Sequence, residues 1–133
     1  MWGKTTPKFK VTTEVRSMLL ANQEIVDLVG EKIFPVMAPE DTPGMYMIYQ
    51  RDQYTVDRTK MGPSMEKCQV IIYVIGPDYD DTQDLAEKIF TALDGDHSNG
   101  LRIWLADSTE DVAGEGQNKK YIQVLLFEIS NHN

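Results

Sequence analysis

Apolar positions change their period several times along the chain, and each change marks an element. Val15, Met18 and Leu19 fall at i, i+3 and i+4, one face of a helix. Thr12 or Thr13 is placed to accept a hydrogen bond from its first turn, and Glu14 suits the positive end of its dipole. Asn22 ends this helix and begins a second short turn carrying Ile25, Val26, Leu28 and Val29, with Gly30 as the stop. Residues 33–44 read as extended, because Pro35, Pro39 and Pro43 forbid a helix. Residues 45–50 predict a strand, and the polar residues 52–64, with Gly62-Pro63, predict a long loop or an extended hairpin tip.

Residues 67–75 give the clearest buried strand, from Cys68 through Val70, Ile72 and Val74, ended by Gly76-Pro77. The period then becomes helical. Asp80 with Gln83 resembles a capping box, and Leu85, Ala86, Ile89, Phe90 and Leu93 form one stripe. After a break at residues 95–100, Leu101, Ile103 and Leu105 alternate with Arg102 and Trp104 as in a strand. Residues 107–120 predict a second polar, acidic loop, and residues 121–130 a closing strand.

Two helices cannot cover a sheet this small on both faces. The expected fold is α+β, a mainly antiparallel four- to five-stranded sheet with two helices packed on one face. Residues 70–75 and 121–129 are its central strands, and Ile72, Val74, Leu125, Phe127, Ile89, Phe90 and Leu93 its expected core. Of Met45, Tyr46, Met47 and Tyr49, the inward alternates belong to the core and the outward ones stay open between core and contact surface.

The 133 residues make one domain, 1–133, with residues 1–11 a flexible N-terminal segment. A composition 41% apolar and 26% charged excludes disordered and collagen-like classes. The formal charge of −8 argues against a grip on DNA or RNA backbones. No apolar run approaches the ~20 residues of a membrane span, and none follows Lys4, Lys8 and Lys10 as a signal core, so a cytoplasmic start and no membrane partner are expected. One cysteine, Cys68, forms no internal disulfide.

Candidate chemistry is thin. Asp78, Asp80, Asp81 and Asp84 suggest a calcium loop, but Gln83 and Ile89 stand where a glycine and a bidentate glutamate are needed. They suit a helix N-terminus better. Cys68 with His97 as base would make a nucleophile, yet Cys68 opens an apolar strand, the setting of an inert thiol. Glu110 and Asp111 have nothing nearby to raise one pKa and read as solvated. With only His97 and His132, zinc lacks ligands. No catalytic residue, metal or cofactor is expected. Two long polar loops in a compact domain do suggest a use, and contact with other subunits is the simplest.

Residues 25–35, Ile-Val-Asp-Leu-Val-Gly-Glu-Lys-Ile-Phe-Pro, resemble the opening of small phage tail-completion proteins: a helix, Val-Gly, a charged pair, then Ile-aromatic-Pro. Pro43 before Tyr46 and Tyr49, a strand like residues 70–75 and a helix like residues 85–93 continue the resemblance, which spans residues 14–128. Gly44-Met45 and the acidic residues 107–117 depart from it. The resemblance implies a non-enzymatic tail terminator of a long-tailed phage or prophage. Such proteins form a ring, usually of six subunits, on the last tail-tube disc, stop tube growth and offer a docking surface to head–tail connector proteins.

It implies a homo-oligomer, or a monomer in isolation, located in the virion tail after assembly in the host bacterial cytoplasm, with DNA passing through unbound. The contact residues then expected are Tyr54, Thr55, Val56, Asp57, Arg58, Lys60 and Met61 in the first loop and Glu110, Asp111, Lys119 and Lys120 in the second. The competing reading is a small ligand- or metal-binding domain, or an enzyme, that uses the acidic cluster between Asp78 and Asp84.

Overall fold

A computed structural model of the chain describes residues 10–59, 62–98 and 100–131. Helix α1 (Val11–Leu20) buries Val11, Val15 and Leu19, a stripe of successive i+4 steps. It begins two to three residues earlier than the threonines suggest. Lys10 occupies the cap position without a side-chain bond, so Thr12 and Thr13 lie inside the helix. Burial of Val11, not capping chemistry, sets the start. Asn22 Oδ1 accepts from the Ile25 N–H at 3.2 Å and opens α2 (Gln23–Val29). Gly30, at φ 61°, ends it in a conformation costly for other residues.

A short β1 (Ile33–Pro35) runs parallel to β2 (Tyr46–Thr59), which turns into β3 (Gly62–Gly76). Residues 52–59 are therefore ladder-paired strand and not a loop, which settles the open choice in favour of an extended hairpin. A polar sequence does not exclude a strand, because strand preference follows context more than composition.

Helix α3 (Tyr79–Leu93) follows, capped by Asp78, whose Oδ1 accepts from the Asp81 N–H at 3.1 Å. The capping box at Asp80 and Gln83 does not form; Gln83 instead donates to the Tyr79 hydroxyl at 3.1 Å. Thr82, Leu85, Ala86, Ile89 and Leu93 are buried, but Phe90 is 40% exposed and leaves the expected core. The two-residue β4 (Gly95–Asp96), β5 (Leu101–Ala113) and β6 (Lys120–Asn131) complete the chain. The second expected loop thus shrinks to residues 114–119, because β5 runs on to Ala113 opposite Lys120. Gly114, at φ 79°, makes this turn; a Cβ there would collide with the Asn118 carbonyl oxygen.

The sheet has the order β1-β2-β3-β6-β5-β4, all antiparallel except β1 on β2. This is the expected α+β class, with two short edge strands added and three helices in place of two, because the Asn22 cap divides the N-terminal helical segment. The helices pack on one face, over Cys68, Val70, Ile72 and Val74 of β3 and Leu125, Phe127 and Ile129 of β6, all buried. Each of the larger of these stabilises the fold by roughly 1.5–3 kcal/mol on burial.

Candidate interaction site

Among the described residues no helix lies on the other face of the sheet, and the strand register reads out its composition row by row. One row across β2, β3, β6 and β5 holds Tyr46, Ile75, Ile122 and Asp111. The next holds Ile48, Tyr73, Val124 and Thr109, with Phe34 of β1 beside Ile48. The third holds Gln50, Ile71, Leu126 and Asp107, followed by Gln53, Gln69, Glu128 and Trp104. Apart from buried Ile75, the apolar members are half-buried, shielded only by their neighbours, and none belongs to the core cluster. Charges sit at the margins: Lys120 reaches over the Tyr46 ring at 5.3 Å, while Asp107, Asp111 and Arg102 lie on the β5 side. An apolar centre with a polar rim is the anatomy of an interface.

The sequence signal for this face was the unbroken apolar run of β3. Such a run fits a strand covered on both sides, but the helices cover only one.

A second feature borders this face. Residues 34–39, Phe-Pro-Val-Met-Ala-Pro, are wholly apolar, and Val36 and Met37 are 65% and 74% exposed. The Met37 N–H donates to the Pro35 carbonyl at 2.7 Å across Val36, which is held at φ 67°. That is the pattern of the rare γ-turn, strained for a β-branched residue. The Val36 N–H to the Tyr49 carbonyl, at 2.9 Å, and the Thr42 hydroxyl to the Pro39 carbonyl, at 2.6 Å, hold the turn in place.

The expected contact residues divide between the two hairpins. Tyr54 and Thr55 lie on β2, as does the backbone of Val56, Asp57 and Arg58; Lys60 and Met61 lie outside the described residues. Glu110 and Asp111 lie on β5, Lys119 in the turn and Lys120 at the start of β6. The hairpins are not brought together. Thr55 pairs with Lys67, which faces Ser130, so the β2–β3 arm runs about 15 Å beyond β6 at one end of the sheet. The β5–β6 turn lies at the other end, past the Gly76 and Tyr121 pair.

Glu110 and Asp111 are exposed, but neither carboxylate is left to water alone. Glu110 accepts from Gln123 Nε2 at 2.8 Å and from the Tyr79 hydroxyl at 2.8 and 3.0 Å. The bond from Gln123, then that from Tyr79, holds the Glu110 carboxyl below its ordinary value, and the shared proton raises that of Tyr79. Asp94, Asp107 and Asp111 accept from the backbone N–H groups of Leu105, Ser108 and Val112 at 3.0, 2.9 and 2.8 Å. Three carboxylates thus blunt the outer edge of β5 against strand pairing.

The candidate chemical groups each hold a structural place among the described residues. Cys68 is buried, and His97 Nε2 lies 2.7 Å from the Leu93 carbonyl, a donor at the end of α3. Asp78 caps α3, Asp84 lies 3.7 Å from Lys88, and the described residues contain no group of three potential metal ligands. No described helix is long and apolar enough to cross a membrane.

No family model matches the chain, and no curated protein matches it. Among solved structures, a chain of the virion of the native gene transfer agent (GTA) particle shares the fold, with a TM-score of 0.66. The match covers 89% of this chain and 92% of that one at 20% identity.

Proposed function

We propose that this chain is a structural component of a phage-type virion, a tail-completion protein that caps the tail tube and prepares it for head joining. The observation that carries the reading is the fold shared along almost the whole length with a chain of a virion particle. The terminator role in particular draws on the resemblance of residues 25–35 and on the layout of the domain. A subunit lodged between tube and head needs contacts at two ends, and the two hairpins project from opposite ends of the sheet. Copies arranged as a ring, six in related proteins, would meet the tube protein on one side and connector proteins on the other. An acidic chain lets DNA pass without holding it. The protein is structural and not catalytic in this reading.

The test shortens the β2–β3 arm without shifting its register. Thr55 and Lys67 face each other, so residues 56–66 are replaced by an Asn-Gly turn. Purified tail tubes are then incubated with either protein, and tube lengths are scored by electron microscopy. The intact chain should stop growth and the shortened one should not. An intact chain that leaves tube lengths unchanged removes the terminator reading; a shortened chain that caps normally removes the role of the arm.

A further inference from the structure

The geometry points to a specific contact between copies: we propose that the apolar turn at residues 34–39 of one copy seats on the helix-free sheet face of the next. The inference deepens the assembly reading above and rests on it. Three observations favour a second copy as the occupant.

The first is charge. The three helices carry seven acidic and two basic residues, so helical surfaces repel one another. The turn carries no charge, and on the bare face Lys67, Lys120 and Arg102 stand against Asp96, Asp107, Asp111 and Glu128, with Asp96 paired to Arg102 at 2.8 Å. Turn and face thus carry less net charge than the helical side, so copies of a chain at −8 repel least when these two meet.

The second is area. Four strands and four to five rows give the face a footprint on the order of 600 Å², near the ~800 Å² per partner of a standard interface. The third is preorganisation. Val36 and Met37 are the most exposed large apolar side chains among the described residues, yet two backbone hydrogen bonds, one from the Thr42 hydroxyl and two flanking prolines fix their turn. A fixed apolar knob loses little entropy on docking, and methionine adapts to the surface it meets.

The β5 edge is guarded by carboxylates, so pairing through that edge is not the route. Turn and face adjoin at Phe34, and the contact closes either as a reciprocal two-fold pair or head-to-tail into a ring.

Analytical ultracentrifugation from micromolar to millimolar protein tests this with the full chain. Two variants are used: Met37→Glu removes the knob, and Leu126→Lys places a charge at the centre of the face. Circular dichroism verifies their folds, and Ile48→Lys replaces Leu126→Lys if the latter fails to fold. The intact chain should self-associate, and each variant alone should do so at least about thirtyfold more weakly. Mixed in equal amounts, the variants should recover a heterodimer, because the intact turn of one meets the intact face of the other. An intact chain that stays monomeric throughout overturns the proposal, as does a mixture with no heterodimer. So does Met37→Glu associating normally, the result expected if faces pack on faces. A monomeric chain that still caps tubes defeats this contact and leaves the terminator reading standing; an associating chain that fails to cap does the reverse.

Discussion

Val36 concentrates the tension between stability and use in one residue. Its φ of 67° is unfavourable for a β-branched side chain, and its exposed methyl groups gain little from the monomer in return. Val36→Gly should therefore stabilise the monomer by about 1 kcal/mol in urea melts, the relief of left-handed strain less the added chain entropy of glycine. The same variant should assemble less well; one that weakens the fold would show that Val36 is not strained. Neighbouring positions on α3 make an opposite pair. Ile89→Ala should cost about 2–5 kcal/mol, whereas Phe90→Ala, 40% exposed, should cost under about 1 kcal/mol.

Glu110 gives a pH signature. Its folded pKa lies below the ordinary 4.5, so its contribution is present above that value and is lost as pH falls through the folded pKa. Tyr79, raised above 10.0, contributes below that value and loses its contribution as pH rises through its own folded pKa. Glu110→Gln should flatten the acid limb of a stability profile and return the Tyr79 titration, read by tyrosinate absorbance, towards its ordinary position. An unchanged acid limb would show that the Tyr79–Glu110–Gln123 cluster does not persist in solution.

Elements were legible where a core imposed its period. Residues 70–75 and the stripe of Leu85, Ile89 and Leu93 declared themselves because each faces the same buried layer. Residues 53–59 and 107–113 did not, since their sequence is largely polar and shows no sustained apolar alternation, although the backbone pairs them as strands. The cap of α3 was displaced by two residues for a related reason: several aspartates can cap, and tertiary packing chooses among them. Asp78→Ala should cost about 1 kcal/mol in denaturant melts, and Asp80→Ala much less. Equal losses would mean that the dipole, not the Asp78 hydrogen bond, fixes the helix start. The candidate surface was half legible. The apolar run of β3 was plain in the chain, residues 33–44 read only as extended, and it is the one-sided placement of the described helices that reveals which face they leave bare.

At the scale of the whole molecule, charge and apolar surface are segregated, and this sets how assembly answers to salt. Helices rich in Asp and Glu cover one side of the sheet, and an apolar face with charges of both signs at its margins occupies the other. Two copies at −8 repel at long range, while the proposed contact is made by Met37, Val36 and the centre of the bare face, none of them charged. Added salt shortens the range of the repulsion, from about 10 Å at 0.1 M to about 3 Å at 1 M, and leaves the apolar attraction intact. Sulfate strengthens that attraction further by its exclusion from protein surface. Self-association measured by sedimentation equilibrium should therefore tighten as sodium chloride rises, and tighten more in sodium sulfate at equal ionic strength. An interface built on ion pairs, for instance Lys67 or Lys120 against the acidic helices, would instead weaken with salt. Loosening on salt addition would thus relocate the contact from the bare sheet face to the charged side of the domain.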